Sequence, residues 1–322
     1  MNPRRMKRLL AQLGELTVTQ RGELLQLLHA PAQHEQVLQM VESRLDGPRH
    51  CPHCQGVELV RNGHANGLQR YKCRGCGRTF NALSATPLAR LRLKDKWLQQ
   101  ADVLCQGLIV RLAAEQLQVA PSTAFRWRHR FLRLAQQAKP GCLGGVVEVD
   151  QTYQLRSFKG QKVLGRAARS RGGKARTRGM SKEHVPMLMA RDRSGATTDF
   201  VLPADSVVEV SAVLQPVVAG DAILCTDGSP VLASVARQLR LAHEALNLKA
   251  GIRVRGPWHI QNVNAYHSRY KGWMRRFHGV ATSYLPSYLG WFRAIDRFRQ
   301  LPTNPARMLA LNLGSQPVAI TS

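Results

Sequence analysis

Two closely spaced cysteine pairs constrain the fold of this chain more than any other feature of its sequence. Cys51 and Cys54 form one C-x-x-C motif, and Cys73 and Cys76 form a second one further along. Each motif can place two thiolates on one metal ion, and a hairpin between the motifs closes a four-sulfur site of the kind that holds structural zinc. The spacing therefore predicts a zinc ribbon over residues 49–82.

Four cysteine ligands are preferred over two alternatives. His53 and His64 lie nearby as substitute ligands, but four thiolates need no substitution. Four unligated cysteines are the other interpretation, and the paired spacing speaks against it. Four sulfurs leave no open position for a substrate, so the expected Zn²⁺ is structural and contributes on the order of 10 kcal/mol to the folding of such a small unit. The total of seven cysteines is odd, which argues against a disulfide framework.

The chain carries a large positive charge. Its 322 residues include 47 Lys and Arg against 20 Asp and Glu, a formal net charge of +27. Such an excess opposes compaction by self-repulsion unless a polyanion binds. Nucleic acid is the expected polyanion, with an anionic membrane surface as the alternative. The sequence has no apolar run of transmembrane length and no signal peptide, so we expect a cytoplasmic protein without a membrane partner.

Helical periodicity dominates the segments on both sides of the ribbon. Residues 1–48 are predicted to form small amphipathic helices, and residues 83–140 a helix-turn-helix region. In that region a helix over 108–117 leads into a turn at 119–121, a cap at Ser122 and an Arg-rich helix, an order typical of helix-turn-helix domains. A basic solvated helix in a linker is the alternative. The predicted DNA contacts are Arg126, Arg128, His129, Arg130 and Arg133.

Two short apolar runs each deliver one aspartate at the end of a predicted strand. The run 145–153 carries Asp150, and the run 221–230 carries Asp227 before a Gly-Ser-Pro turn. A carboxylate in an apolar strand is costly unless it is paired, hydrogen-bonded or bound to a cation. Either aspartate alone is explained by a turn cap. Two such strands together favour a shared cation site, and Mg²⁺ is the expected ion because it prefers oxygen ligands.

Residues 141–300 are predicted to form an α/β core, followed by a C-terminal tail over 301–322. The pattern gives antiparallel strands near 187–191 and 198–202, and then helices that alternate with a further strand. A basic insertion over 154–185 separates the first two strands and is predicted to be a mobile phosphate-binding loop; a merely solubilising loop is the alternative. Its predicted DNA contacts are Lys174, Arg176 and Arg178.

A third ligand to the proposed cations is predicted on a late helix. Asn264 and Lys271 are seven residues apart, about two helical turns, so both lie on one face of that helix. An amide oxygen can bind a hard cation, and a lysine two turns further on can contact a phosphate.

Together these motifs resemble those of bacterial insertion-sequence transposases with an N-terminal zinc ribbon and a retroviral-integrase-like core. The resemblance rests on the cysteine ribbon, on the segments 147–153 and 225–228, and on 263–267 with Lys271, and it covers nearly the whole chain. It implies a multidomain protein: N-terminal helices, zinc ribbon and helix-turn-helix, then an RNase-H-like catalytic core whose first aspartate is on a central strand. Most of the broader family has Glu as the third ligand, and this chain is similar to the branch with Asn.

The resemblance also implies an activity. In that family Asp150, Asp227 and Asn264 would form the catalytic triad with Lys271 behind them, holding two Mg²⁺ or Mn²⁺ ions for DNA strand cleavage and strand transfer by in-line displacement. Double-stranded DNA, element ends and target, would be the partner, with a homodimer or higher oligomer on it and a nucleoid-associated location. Family members commonly have Glu after the first Asp, where this chain has Gln151. A DNA-binding regulator without catalysis and a nuclease without strand joining are the competing interpretations.

Overall fold

The computed structural model describes residues 2–22, 33–161, 173–177, 181–247, 250–297, 299 and 304–314. These fall into two compact units, Met1–Gln99 and Gln100–Ser322, which are described separately below. Outside the described residues lie part of the predicted N-terminal helical segment (23–32), part of the predicted basic insertion (162–172 and 178–180, with Arg178) and part of the predicted tail (301–303 and 315–322). The boundary between the units falls within the predicted 83–140 region, and the domain limits at 48, 82 and 140 remain predictions.

The first unit combines short helices with a small antiparallel sheet. Its elements are helices α1 (Pro3–Leu13) and α2 (Gln33–Glu42) and strands β1 (Leu59–Ala65), β2 (Leu68–Cys73) and β3 (Thr79–Phe80), in the sheet order β1-β2-β3. Helix α2 buries Val37 and Val41, which are four residues apart and so share one face. The carboxylate of Glu42 at its end accepts the Gln69 amide of β2 at 2.7 Å, which ties the helix to the ribbon.

The second unit begins within helix α3 and contains a mixed sheet with helices. The elements before the sheet are α3 (Trp97–Gln106), α4 (Val110–Leu117) and α5 (Pro121–Gln137). The strands are β4 (Val146–Leu155), β5 (His184–Asp192), β6 (Thr197–Val201), β7 (Ile223–Thr226) and β8 (Ala242–Ala245), with a separate pair β9 (Val254–Arg255) and β10 (Trp258–His259). The other helices are α6 (Val207–Leu214), α7 (Pro230–Gln238), α8 (Gln261–Met274), α9 (Leu285–Arg297) and α10 (Pro305–Leu313).

The five-stranded sheet has the order β6-β5-β4-β7-β8, so β4 is central. Strands β4, β5 and β6 pair antiparallel, whereas β7 pairs parallel with both β4 and β8. One face of β4 packs Val147 and Val149 into an apolar core with α6 and α7. The alternate residues of β4 point to the opposite face, where α8 lies against the sheet, because side chains along a strand alternate.

Helix α5 lies deep in this unit and packs against α9 and α10. At Gly290, α9 approaches α5 so closely that an added Cβ would lie 2.5 Å from the Gln136 Cα. Arg293 of α9 forms a buried ion pair with Asp199 of β6 and donates to the Ala135 and Gln136 carbonyls, both at 3.0 Å. The Arg-rich helix is therefore part of the packed second unit.

Two details differ from the sequence-based expectations. Ser122 is not the cap of the Arg-rich helix: Ala120 is the cap and Pro121 the first residue, the position that its fixed φ angle favours. Strand β8 was not predicted, because its sequence Ala-His-Glu-Ala lacks the apolar β-branched residues typical of a strand. None of the helices in the described part of the chain is both long enough and apolar enough to cross a bilayer.

Candidate active site and metal centres

The four predicted cysteine ligands come together in the first unit. Their sulfur atoms all lie within 4.8 Å of one another, and the Sγ atoms of Cys51 and Cys76, and of Cys54 and Cys73, are each 3.6 Å apart. Zinc–sulfur bonds of about 2.3 Å in a tetrahedron require sulfur atoms about 3.8 Å apart. The cluster thus matches a zinc site in both donor type and spacing.

The two cysteine motifs share one backbone frame. The amide of Gln55 donates to the Cys51 carbonyl, and the amide of Gly77 donates to the Cys73 carbonyl, each at 2.9 Å. Gln55 and Gly77 both have positive φ angles, 63° and 69°. The reverse bonds, from the Cys51 and Cys73 amides to the carbonyls five residues on, complete both turns. Two equivalent turns present their thiols towards one centre, which the C-x-x-C spacing alone had indicated.

The thiols of this cluster do not ionise alike without a cation. Burial tends to raise the pKa of Cys51, but hydrogen bonds from the backbone of His53 and Cys54 outweigh it and lower that pKa to about 7. The Gly56 backbone lowers the pKa of Cys54, but hydrogen bonds with Cys76 and Cys73 oppose this, and the pKa rises to about 12. Ionisation of Cys51 is therefore favoured and ionisation of Cys54 opposed, and a divalent cation would favour the thiolate form of its ligands.

Asp150 and Asp227 lie on neighbouring parallel strands. Glu148 of β4 is in register with Cys225 of β7. Continuing that register by two residues places Asp150 beside Asp227, the first residue after β7. Adjacent strands are about 4.8 Å apart, and side chains in register point to the same face of the sheet. The backbone register therefore places Asp150 and Asp227 next to each other in the sheet, at the carboxyl end of β7.

Helix α8 covers the same end of the sheet. The Nδ1 atom of His267 is 3.2 Å from the Asp150 Oδ2 atom. Asn264 precedes His267 by three residues and so shares its face of the helix, and Lys271 follows Asn264 by two turns. Asn264 is half-buried and Lys271 is exposed. The contact of His267 with Asp150 directs this face of the helix towards the two aspartates.

Both aspartates are held by backbone amides. The Gln151 amide donates to Asp150 Oδ1 at 2.8 Å, and the Ser229 amide donates to Asp227 Oδ1 at 2.9 Å. Such bonds fix the orientation of each carboxylate. Gly228, between Asp227 and Ser229, has a φ of 75°, a conformation that glycine adopts readily. The turn after β7 is thus shaped so that the Asp227 side chain is presented at the strand end.

A third carboxylate, Asp205, lies near the same part of β4, on the opposite face of the sheet. It accepts hydrogen bonds from the side-chain nitrogen of Gln151, Nε2, at 2.6 Å and from the Tyr153 hydroxyl at 2.5 Å. Burial, the hydrogen bond to Asp205, and the charges of Asp205, Asp150 and Asp227 all raise the pKa of Tyr153. The phenol therefore stays protonated and lies within the field of all three carboxylates. Gln151 is a neutral donor to Asp205, a position where a glutamate would repel it.

The residues predicted to contact DNA are placed differently from one another. Arg126, Arg133, Lys174, Arg176 and Lys271 are exposed, and Arg130 is half-buried.

Arg128 is buried, in contrast with that prediction. It is 1% exposed, donates to the Leu108 carbonyl at 2.6 Å and lies over the Trp291 ring at 4.9 Å. His129 stacks on Tyr284, with ring centroids 4.0 Å apart. Neither side chain faces solvent as a phosphate contact would require, because the apolar stripe of α5 that includes Trp127 and Phe131 turns them inwards.

Three residues of this site were not singled out from the sequence. His267 contacts Asp150, Asp205 anchors Gln151 and Tyr153, and Glu148 is fully buried against the start of α8. Glu148 had a detectable signal: it is a carboxylate two residues before Asp150 in an apolar strand, and so shares its face. His267 and Asp205 had none, because their partners are more than fifty residues away in the chain.

Comparison with known proteins relates this chain to mobile genetic elements. Residues 142–293, which contain Asp150, Asp227 and Asn264, match the family described as the ISXO2-like transposase domain. The chain is therefore a relative of the insertion-sequence transposases. Over 263 residues it is 26% identical to the "Uncharacterized protein in transposable element ISH50" of Halobacterium salinarum, covering 80% of this chain and 87% of that one. The resemblance inferred from the motifs is thus confirmed at the level of the family.

Solved structures give only weak matches to this transposase relative. The pre-cleavage Mos1 transpososome matches with a TM-score of 0.27 and 12% identity over 68% of this chain and 78% of that one. The Mos1 mariner paired end complex with Mn matches with a TM-score of 0.22 and 14% identity over 67% and 77%. Similarity this low carries no argument about fold or chemistry, so the function rests on the site itself.

Proposed function

We propose that this chain is a transposase that cuts and joins DNA strands with divalent cations held by Asp150, Asp227 and Asn264. The proposal is supported by the register that places Asp150 and Asp227 on adjacent parallel strands, and by the contact between Asp150 and His267, one turn from Asn264 on α8. In a DNA-binding regulator without catalysis this arrangement has no role.

An RNase-H-like core is part of the same proposal. The sheet order β6-β5-β4-β7-β8, with three antiparallel strands followed by two parallel ones, supports it. So do the position of Asp150 on the central strand and of Asn264 on a later helix, as the family resemblance implies.

The residues present fit hard divalent cations, Mg²⁺ or Mn²⁺. Each carboxylate oxygen has two lone pairs, so Asp150, bonded to the Gln151 amide and to His267, and Asp227, bonded to the Ser229 amide, can still bind a cation. Asn264 would supply a neutral amide oxygen. Bound there, the cations lower the pKa of the attacking water or 3′-hydroxyl and stabilise the leaving oxygen. With two carboxylates and an amide, the ligand set neutralises less of the cation charge than three acids would, so we expect weaker metal binding than in a Glu variant.

The side chains around this centre would hold its parts in place. His267 restrains the Asp150 carboxylate, and the Ser229 amide restrains Asp227. Lys271, exposed two turns beyond Asn264, would bind a phosphate of the DNA strand and place it over the carboxylates. The net charge of +27 fits a polyanionic substrate.

DNA binding is proposed for two further regions. Helices α4 and α5 are joined by the three residues 118–120 and pack on each other, as in a helix-turn-helix. The exposed side chains of Arg126 and Arg133 lie seven residues apart on one face of α5 and would contact phosphates, while the cysteine cluster would hold a structural Zn²⁺. Assembly of two or more copies on the paired element ends belongs to the same proposal.

The test is incubation of the purified protein with labelled DNA that carries the ends of its element, with Mg²⁺ present. Cleavage followed by joining supports a transposase, cleavage alone a nuclease, and binding alone a regulator. Asp150→Asn and Asp227→Asn should abolish cleavage without loss of DNA binding. Asp221→Asn is the matched control, because Asp221 is an exposed aspartate just before the other end of β7. Cleavage by Asp150→Asn at the wild-type rate would reject the assignment.

A further inference from the structure

Glu148 is a fully buried carboxylate whose position the proposed chemistry does not by itself explain. It lies in the central strand β4, two residues before Asp150, and therefore points to the same face of the sheet. Its relative exposure is 0%. A buried carboxylate is tolerated only when donors surround it, so its partners indicate what it is for.

The first set of partners is the start of helix α8. The Val263 amide donates to Glu148 Oε2 at 2.9 Å, and the Asn262 side-chain nitrogen donates to Oε1 at 2.8 Å. The N-cap residue of α8, Ile260, provides no side-chain hydrogen bond, and the first turn of the helix holds no acidic residue. Glu148 thus supplies from the sheet both the acceptor and the negative charge that a helix N-terminus favours.

The second set of partners is cationic. Arg193, in the turn between β5 and β6, places its Nη1 atom 3.0 Å from Glu148 Oε1. The same guanidinium donates to the Pro257 carbonyl at 3.0 Å and contacts the ring of His259, whose Nδ1 is 3.4 Å from Glu148. The segment that leads into α8 is therefore held to the β5–β6 turn both by Arg193 directly and through the Glu148 carboxylate.

Helix α8 is consequently fixed to β4 at two successive points. Glu148 binds it at Val263, and Asp150 binds it one turn later at His267. Asn264 lies between these two attachments and is the immediate neighbour of Val263. A shift or rotation of the first turn would move the Asn264 amide directly.

We propose that Glu148, with Arg193, is a positioning residue that sets where the Asn264 amide stands relative to Asp150 and Asp227. This rests on the proposed function, since it concerns the third cation ligand. Glu148 itself touches neither substrate nor reacting atoms. Its effect passes through the first turn of α8, which distinguishes it from a glutamate that merely stabilises the sheet.

The experiment compares Glu148→Gln with Asn264→Ala, the double variant and wild type in Mn²⁺ binding, measured from the electron paramagnetic resonance signal of free Mn²⁺. Glutamine keeps an acceptor for the Val263 amide but loses the charge that pairs with Arg193. Loss of a residue that orients a ligand costs about 10- to 100-fold in metal affinity. If Glu148 acts through Asn264, Glu148→Gln should weaken Mn²⁺ binding by this amount in the wild-type background. In the Asn264→Ala background the same substitution should weaken it by less than about twofold.

A second readout needs no cation. In the metal-free protein, amide hydrogen exchange at the start of α8 should be about tenfold faster in Glu148→Gln, because the first turn loses part of its anchor. Glu244→Gln is the matched control: Glu244 pairs with Arg255 from the edge strand β8 and makes no recorded bond with α8 among the described residues. Arg193→Gln, a partly exposed side chain and so less of a risk to folding, should change both readouts in the same direction.

Two results would overturn the inference: a full additional loss of Mn²⁺ affinity from Glu148→Gln in the Asn264→Ala background, or unchanged exchange at the start of α8. Failure of the proposed function looks different. In that case Asp150→Asn and Asn264→Ala bind Mn²⁺ as wild type does, whatever the result with Glu148.

Discussion

The buried pair of Arg293 and Asp199 provides a quantitative test of how helix α9 is joined to the sheet. The two side chains are 7% and 3% exposed, so neither charge is solvated by bulk water. Replacing Arg293 with Met removes the cation from Asp199 and also the donors to the carbonyls of Ala135 and Gln136 at the end of α5. Breaking one side of a buried ion pair costs about 3–5 kcal/mol, because the remaining charge is left without a partner.

Lys139 should reduce this cost. Burial, and then the charge of Arg293, lower the pKa of Lys139 to about 8, although Asp199 acts in the opposite direction. With a pKa of about 8, Lys139 is already mostly charged at pH 7, and this charge remains beside Asp199 when Arg293 is removed. We therefore expect Arg293→Met to lower the free energy of unfolding by about 3 kcal/mol at pH 7, the lower end of the range. That loss corresponds to a fall in Tm of about 10 °C for a unit of this size.

The assay is urea unfolding followed by tryptophan fluorescence, with the double variant Arg293→Met/Asp199→Leu as the comparison. Replacing both partners by apolar residues should recover much of the loss, because the Asp199 carboxylate is no longer buried without its guanidinium. A double variant as unstable as Arg293→Met alone, or a single loss below about 1 kcal/mol, would contradict the assigned role of the pair.

Three further substitutions or treatments follow from the structure. Gly290→Ala should destabilise the protein by about 1–3 kcal/mol in urea unfolding, because the new Cβ meets the backbone of Gln136 at 2.5–2.7 Å. This is opposite to the usual gain from Ala in a helix. An unchanged urea midpoint would show that α9 and α5 can separate without cost. Burial, and then the charge of Arg128, lower the pKa of His129 from 6.5 to about 4. Between those pH values only the unfolded chain binds the proton, so the free energy of unfolding falls by about 1 kcal/mol between pH 7 and pH 5, after allowance for solvent screening. In urea titrations at the two pH values, His129→Phe should abolish this difference. Removal of zinc by a chelator should abolish the order of residues 49–82 in hydrogen exchange, and Cys73→Ser should do the same, whereas Cys142→Ser, an exposed cysteine outside the cluster, should not.

The sequence determined the features that depend on short separations along the chain. Two residues between the cysteines of a C-x-x-C motif are enough to bring both thiols towards one ion, and both motifs have a hydrogen-bonded turn of this kind. Apolar runs located strands β4 to β7 to within a few residues. The motifs around Asp150, Asp227 and Asn264 also indicated the family, which the comparison with known proteins confirms. The role of these three residues as cation ligands remains a prediction.

Only the tertiary structure decided which side of each element is covered, and by what. Arg128 reads as a DNA contact in an Arg-rich helix, yet α9 packs on that side of α5 and buries it. Glu148 and Asp205 become informative only when Val263, Gln151 and Tyr153 are placed against them. The physical reason is that a local pattern fixes the period of a helix or strand, whereas the partner of a buried charge is chosen by contacts between residues far apart in the chain, whose register depends on the packing of the whole unit.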